Sequence, residues 1–136
     1  MHRLFCIHFL WQSFLFFAPG TTTIQQLKRA DFAIHAPQKF TAGEQTEIIV
    51  VVKNKIKTEW TGYVSLELQD KQSKQNIDGL FANIFPSQYF TVSATDSSVL
   101  LFPVSIPQQF HHSVLISAKL FDRQKCSDSL TIVVPF

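Results

Sequence analysis

Tyr63-Val64-Ser65-Leu66-Glu67-Leu68-Gln69 decides the fold, because apolar and polar residues alternate through it without a break. Successive side chains of a strand point to opposite faces, so Val64, Leu66 and Leu68 face inward and Tyr63, Ser65, Glu67 and Gln69 outward. A strand with one wet face belongs to an antiparallel sheet. Working outward, Val99 to Ile106 sets Leu100, Phe102, Val104 and Ile106 on one face, with Pro103 on the other. Proline lacks an amide donor, so this strand is expected at a sheet edge or at a bulge. Ser113 to Phe121 buries Val114, Ile116, Ala118 and Leu120, and Leu130, Ile132 and Val134 form a last strand. Tyr89 to Val92 reads as a short one.

Upstream, Thr46 to Lys53 carries Ile48, Val50 and Val52 on one face and Glu47, Ile49, Val51 and Lys53 on the other, so its middle is expected to be covered on both sides. Asp31 to Ala36 reads as a first strand ending at Pro37, and Pro37 to Glu44 as a connection punctuated by Pro37 and Gly43. Asn54 to Thr61, with Ile56 and Trp60, reads as a turn. Gly79 to Pro86 reads as a connection crossing between sheets, and Asp122 to Asp128 as a polar turn. The expectation is an all-β domain over residues 31 to 136, two packed antiparallel sheets of about seven short strands and no useful amphipathic helix.

The 136 residues suffice for one domain with a sizeable core. Hydrophobic residues at 46% and charged ones at 16% favour a packed domain over disorder. A formal charge of +2, dispersed along the chain, gives little support to a nucleic-acid surface. Lys53, Lys55, Lys57 and Trp60 make the only basic and aromatic interleaving, and a solvated hairpin end explains it better than a groove for single strands. Four isolated glycines form no phosphate loop, and no cofactor is expected.

His35, His111 and His112 can be paired on paper with Ser113, Ser117 or Cys126 and with Asp122 or Asp128. No nucleophile elbow or cysteine-protease motif surrounds them, so neither catalytic residues nor an enzyme is expected. The adjacent pair His111 and His112 can share an ion only from a loop, and a polar surface turn is the simpler account. Asp70, Asp78 and Asp96 are too widely spaced for a calcium loop, so no metal site is expected.

Met1 to Arg3 is short and basic, and Leu4 to Ala18 is nearly continuous in apolar residues, with five of the 14 phenylalanines. Ala18-Pro19-Gly20 ends that run with small residues. This is the layout of a secretory leader over residues 1 to 20, cleaved after Gly20, with 21 to 30 a linker and an exported, periplasmic or cell-envelope location. A membrane anchor and a spurious start are the competing accounts. The anchor is disfavoured by a run shorter than the roughly 20 residues a bilayer requires. Cys6 and Cys126 are the only cysteines, and with the leader removed Cys126 has no partner within its own chain, so a disulfide-stapled module is excluded and Cys126 is expected as a surface thiol in its turn.

Ala36 to Glu44, with its proline, aromatic, glycine and acidic residue, and the strand Thr46 to Asn54 ending in asparagine, resemble a macroglobulin-type domain of the bacterial alpha-2-macroglobulin-like proteins. Leu66 to Asp70, Asp78 to Asn83, Pro86 to Val92, Phe102 to Pro107, and Ser127-Asp128 before Leu130 to Pro135 continue the likeness in order. The resemblance covers about residues 31 to 136 and is to the domain shortly before the thioester region. It implies an immunoglobulin or fibronectin-type sandwich that packs on neighbouring domains of a large peptidase-trapping envelope protein. An independent exported module binding protein through an open edge strand is the alternative.

The chain departs from the family in several ways. Gln38 to Ala42 lacks the usual arginines, and Ser129 and Leu130 stand where a glycine and an acidic residue follow the Ser-Asp pair. The tryptophan-bearing strand of the preceding domain is missing. The bait region and the Gly-Cys-Gly-Glu-Gln thioester motif are also missing from these 136 residues, so trapping by this chain alone is not expected. Apolar residues beyond the core pattern, namely Ile49, Val51, Tyr63, Phe81, Ile84, Phe85, Phe110 and Phe121, are expected to face other domains. If residues 1 to 20 are a leader, N-terminal sequencing of the secreted protein finds Thr21 first, and a mature chain that retains Met1 excludes cleavage.

Overall fold

The computed structural model describes residues 30–123 and 125–136. Seven strands follow one another: β1 (Ala30–His35), β2 (Gln45–Asn54), β3 (Trp60–Asp70), β4 (Ser87–Val92), β5 (Ser97–Ser105), β6 (Val114–Asp122) and β7 (Lys125–Val134). Three form one sheet in the order β1-β2-β5, and four the other in the order β4-β3-β6-β7. Every named pairing is antiparallel. The protein is therefore an all-β, two-sheet sandwich of the immunoglobulin and fibronectin type. The expected leader and most of the expected linker lie outside the described residues. Ala30, at the linker's end, already belongs to β1, where it pairs with Asn54.

The alternation of the sequence becomes the core. Ile48, Val50 and Val52 of β2 face Val64, Leu66 and Leu68 of β3 and Ile116, Ala118 and Leu120 of β6, all essentially inaccessible. Each large aliphatic or aromatic side chain so buried contributes about 1.5–3 kcal/mol. One end of the core is aromatic, with Phe40 and Phe110 both packed edge-on against Phe81, at centroid distances of 5.8 and 4.9 Å. The other end is closed by Trp60 edge-on to Phe90 at 5.1 Å. Pro103 lies on β5, the edge strand of the smaller sheet, as its missing amide requires.

Several expectations are corrected. Trp60 is not in a turn but opens β3, because its ring fills the space between the sheets beside Phe90. Phe81 and Phe110 are core residues and not exposed ones, drawn in by the same volume requirement at the opposite end. The segment Gly79 to Pro86 does not cross between sheets. It returns the chain to the same sheet, where β4 pairs with β3 from Trp60↔Val92 to Ser65↔Ser87. The crossing is made instead by the short turn between β4 and β5, in which Thr95 has φ 60°.

Asp122 to Asp128 is mostly strand. The β6–β7 reversal is tight, with Arg123 at φ 58°, and the open side of β6 takes Cys126 opposite Phe121 and Lys125 opposite Asp122. A bulge between Leu120 and Phe121 hides this strand from any period-two reading. Ser127 Oγ donates to the Leu120 carbonyl at 3.2 Å beside it.

Polar side chains fasten the turns. Asn54 is fully buried where β2 leaves its sheet. Its amide nitrogen donates to the Thr58, Val92 and Ser93 carbonyls at 2.8, 3.4 and 3.2 Å, and its oxygen accepts from the Ile56 amide at 3.2 Å. Gly43, at φ 77°, turns the chain into β2 and donates its amide to the Ile106 carbonyl at 2.9 Å. A Cβ there would collide with the Gln108 side-chain nitrogen, in a backbone region costly for any other residue. Asn54→Ala is expected to destabilise the domain by about 1–3 kcal/mol, since it strands buried backbone groups of two crossovers. Urea denaturation of the parent and variant measures that loss.

Candidate functional site

The histidines come first, since any nucleophilic chemistry needs one as base. His35 is exposed on the outer face of β1. His111 and His112 sit in the loop before β6, as expected, but turn to different partners. His111 packs edge-on against Phe136 at 5.3 Å, and His112 Nδ1 lies 2.9 Å from Asp70 Oδ2. Ser117 Oγ lies 3.1 Å from Thr131 Oγ1 across the β6–β7 ladder. Asp122 and Cys126 lie at the far end of β6 from His112, roughly 25–30 Å away at about 3.3 Å per residue. The serine, cysteine and aspartate partners weighed for these histidines are thus not gathered into one site.

Asp70 does join two polar groups, His112 and Ser73. The order is wrong for a serine nucleophile, because the carboxylate stands between hydroxyl and imidazole, whereas catalysis requires the imidazole in the middle. The His112 contact, with help from the Gln72 amide at 2.9 Å, holds the Asp70 carboxyl below its ordinary range against an opposing push from burial. The pair ties the end of β3 to the loop leading into β6. Among the described residues no group of three or more histidine, cysteine, aspartate or glutamate side chains is placed to hold a metal ion.

Asp78 has a different task. Its Oδ1 accepts from the Leu68 amide at 2.9 Å and from Asn83 Nδ2 at 3.0 Å, while Asn83 Nδ2 also reaches the Leu66 carbonyl at 3.2 Å. In the sequence Asp78 stands out as a candidate calcium ligand, set aside for its spacing, and as the start of the segment Asp78 to Asn83 that carries the family resemblance. Its spacing from Asn83 and the polar run around both were the available signals.

Cys126 is half-buried on β7 and disulfide-bonded, which corrects the surface thiol expected in a turn. Its strand position follows from the pairing with Phe121. Trp60 is buried, so the Lys53, Lys55 and Lys57 stretch presents no aromatic platform, and Lys55 Nζ lies 3.3 Å from Asp31.

Shallow grooves are also found among the described residues. One of about 300 Å³ runs over the outer face of the larger sheet between Tyr63, Glu67, Lys119 and Phe121. There the rings of Tyr63 and Phe121 stack on each other at 4.6 Å. Phe121, expected to be exposed, is buried by that arrangement although it lies outside the core. A second groove of about 360 Å³ lies between the starts of β2 and the end of β5, beside Glu47 and Ala82.

The surface is most unusual where it is apolar. In the β3–β4 loop Leu80, Ile84 and Phe85 are 57%, 73% and 69% exposed. On the outer face of the smaller sheet, Ala33, Val51 and Val99 stand in one cross-strand row, and Ile49 and Leu101 in the next. Exposed apolar side chains are thus gathered on one loop and one sheet face.

No family model matches the chain, and no curated protein matches it. Among solved structures, the sandwich is similar to part of a cycloisomaltooligosaccharide glucanotransferase from Paenibacillus sp., complexed with cycloisomaltoheptaose. The identity there is 17% and the TM-score 0.55, over 72% of this chain and 12% of that one. It is also similar to part of a Bacteroides uniformis β-glucuronidase, at 13% identity and TM-score 0.54 over 77% of this chain and 13% of that one. A β-glucuronidase from glycoside hydrolase family 2 gives 7% identity and TM-score 0.52 over 77% and 11%. The chain spans about an eighth of the length of each of these proteins. At such identities the likeness is one of fold.

The depressed Asp70 carboxyl has a pH signature. Its stabilising contribution is complete above the ordinary aspartate value of 3.8 and is lost as the pH falls below it through the lower folded-state value. Asp70→Asn is expected to flatten the acid limb of the stability profile below about pH 4, measured by denaturant midpoints across pH. Asp78→Ala, by stranding the Leu68 amide, is expected to cost about 1–3 kcal/mol at neutral pH.

Proposed function

We propose that this chain is a non-catalytic structural and interaction domain of, or derived from, a bacterial alpha-2-macroglobulin-like peptidase-trapping envelope protein. It is exported to the periplasm or cell envelope, and by itself it does not trap a peptidase. Its partners are neighbouring macroglobulin-type domains or another protein, with no small-molecule substrate, cofactor or nucleic acid.

The observation that carries this reading is the exposed apolar loop of Leu80, Ile84 and Phe85. Its base is rigidly held through Asp78 and Asn83 while its tip offers large apolar side chains to solvent. A fixed loop that presents apolar side chains suits a surface that packs against a neighbouring domain. The residues of the family resemblance support it as well, because they are the ones with structural duties here: Gly43 in the lead-in turn, Asn54 at the end of β2, and Asp78 with Asn83 beneath the loop. The likeness of fold to segments of much larger chains is in keeping with a module.

The second reading, an independent exported binding module, is favoured by β5. This strand is an edge of its sheet, engaged by Gln88 at the Leu101 carbonyl and by Phe81 at the Ser105 amide, and its outer face carries Val99 and Leu101, 58% and 45% exposed. Pro103 restricts strand addition there to the half before it.

An antibody against residues 31–136, used on the native cells with intact mass recorded, separates the two. Detection within a larger envelope polypeptide supports the macroglobulin reading, and a free secreted chain of this size overturns it in favour of the module. The double variant Ile84→Ser with Phe85→Ser is expected to unfold within about 0.5 kcal/mol of the parent, since both side chains are exposed. In the larger polypeptide the same change is expected to detach the domain from its neighbour, seen as new protease sensitivity at the domain boundary.

A further inference from the structure

The outer face of the three-stranded sheet carries a charge pattern that its apolar centre does not explain. Along β2, its middle strand, the outward residues are Glu47, Ile49, Val51 and Lys53. An anion ends the row on one side and a cation on the other, with two aliphatic side chains between. Glu47 and Lys53 are both exposed, and among the described residues neither forms an ion pair. The flanking strands extend the same rows: Ala33 and Val99 lie beside Val51, His35 and Leu101 beside Ile49, and Asp31 beside Lys53, its carboxylate 3.3 Å from Lys55 Nζ.

Such a face is complementary to itself in one orientation only. Two copies meeting face to face are related by a two-fold axis lying in the plane of contact. If the axis runs along the strands, Glu47 falls on Glu47 of the second copy and Lys53 on Lys53, which is repulsive. If it runs across the strands at the level of Val50, the two β2 strands lie antiparallel. Glu47 then meets Lys53 of the second copy twice, Ile49 covers Val51, and Val99 covers Leu101. The rotation of about 30° usual between packed sheets leaves the long Glu and Lys side chains within reach of one another.

We propose that the outer face of the β1-β2-β5 sheet is an isologous interface through which two copies of this chain associate, antiparallel in β2 and held in register by reciprocal Glu47–Lys53 pairs. The occupant is a second copy because the face supplies both halves of the charge pairing itself. This proposal does not rest on the macroglobulin reading, and it uses a different surface from the Ile84 and Phe85 loop.

Three strands about 4.8 Å apart, with about seven residues each, give a face smaller than the roughly 800 Å² per partner of a standard interface, so the dimer is weak. Sedimentation equilibrium on the full chain is expected to show a monomer–dimer equilibrium with a dissociation constant on the order of 1–100 μM. Glu47→Lys and Lys53→Glu are each expected to weaken it by roughly tenfold or more. Mixed in equal amounts, the two variants are expected to regain dimerisation as a heterodimer, and so is the double variant that carries both changes. Both positions are exposed, so thermal unfolding of each variant stays near that of the parent and separates misfolding from lost contact. A chain that stays monomeric to about 1 mM overturns the proposal. So does association that neither charge reversal alters, or single losses that the mixture fails to rescue.

Discussion

The second half of β3 is the constraint on which the rest depends. From Leu66 to Asp70 this strand has β6 on one side, but on the other β4 stops pairing at Ser65. Buried amides facing that gap require partners. The long loop supplies them one by one: the Pro86 carbonyl takes the Leu66 amide at 2.7 Å, the Asp78 carboxylate takes that of Leu68 at 2.9 Å, and the Gln75 carbonyl takes that of Asp70 at 2.9 Å. A loop held this way cannot roam, and its position drops Phe81 into the core between Phe40 and Phe110. The Phe81 carbonyl then accepts the Ser105 amide at 2.8 Å, which joins the loop to the opposite sheet.

The two sheets are thereby closed on both sides by hydrogen bonds. On one side the loop and the Gln88 side chain, bonded to the Leu101 carbonyl at 2.7 Å, bind the edges of β4 and β5 together. On the other, the Phe40 amide reaches the Pro135 carbonyl at 2.9 Å, linking the turn after β1 to the end of β7. Asn54 performs at the Trp60 end what Asp78 performs at the Phe81 end, satisfying several backbone groups where strands change sheet. The core is apolar throughout, but its register is specified by these few polar side chains.

Rigidity of this kind bears on function. Among the described residues, Cys126 and Asp122 lie at the opposite end of the sandwich from His112, which with Asp70 is absorbed into loop anchoring. Surface apolar area is instead concentrated on the fixed loop and on one sheet face. Both features favour the proposed contact role, for which a firmly held scaffold would let a small apolar area bind without a large ordering entropy.

The sequence by itself determined the strands with clean alternation, their inward residues, and the restriction of the proline-bearing β5 to an edge or a bulge, because side-chain period and the missing proline amide are local properties. It also marked Ile84, Phe85, Ile49 and Val51 as surplus to the core. Tertiary structure alone decided the rest. Trp60, Phe81 and Phe110 lie in polar or irregular stretches, and whether a lone aromatic there is buried depends on which end of the core has room for it. The strand from Lys125 was concealed by a bulge, and the role of Asp78 by the fact that its partner amide sits ten residues away on an unfilled edge. Which strands share a sheet was equally hidden, since period two marks the inner face of a strand but carries no record of its neighbour. The apolar outer face became a single surface only when the register aligned Val51 with Ala33 and Val99, and Ile49 with Leu101.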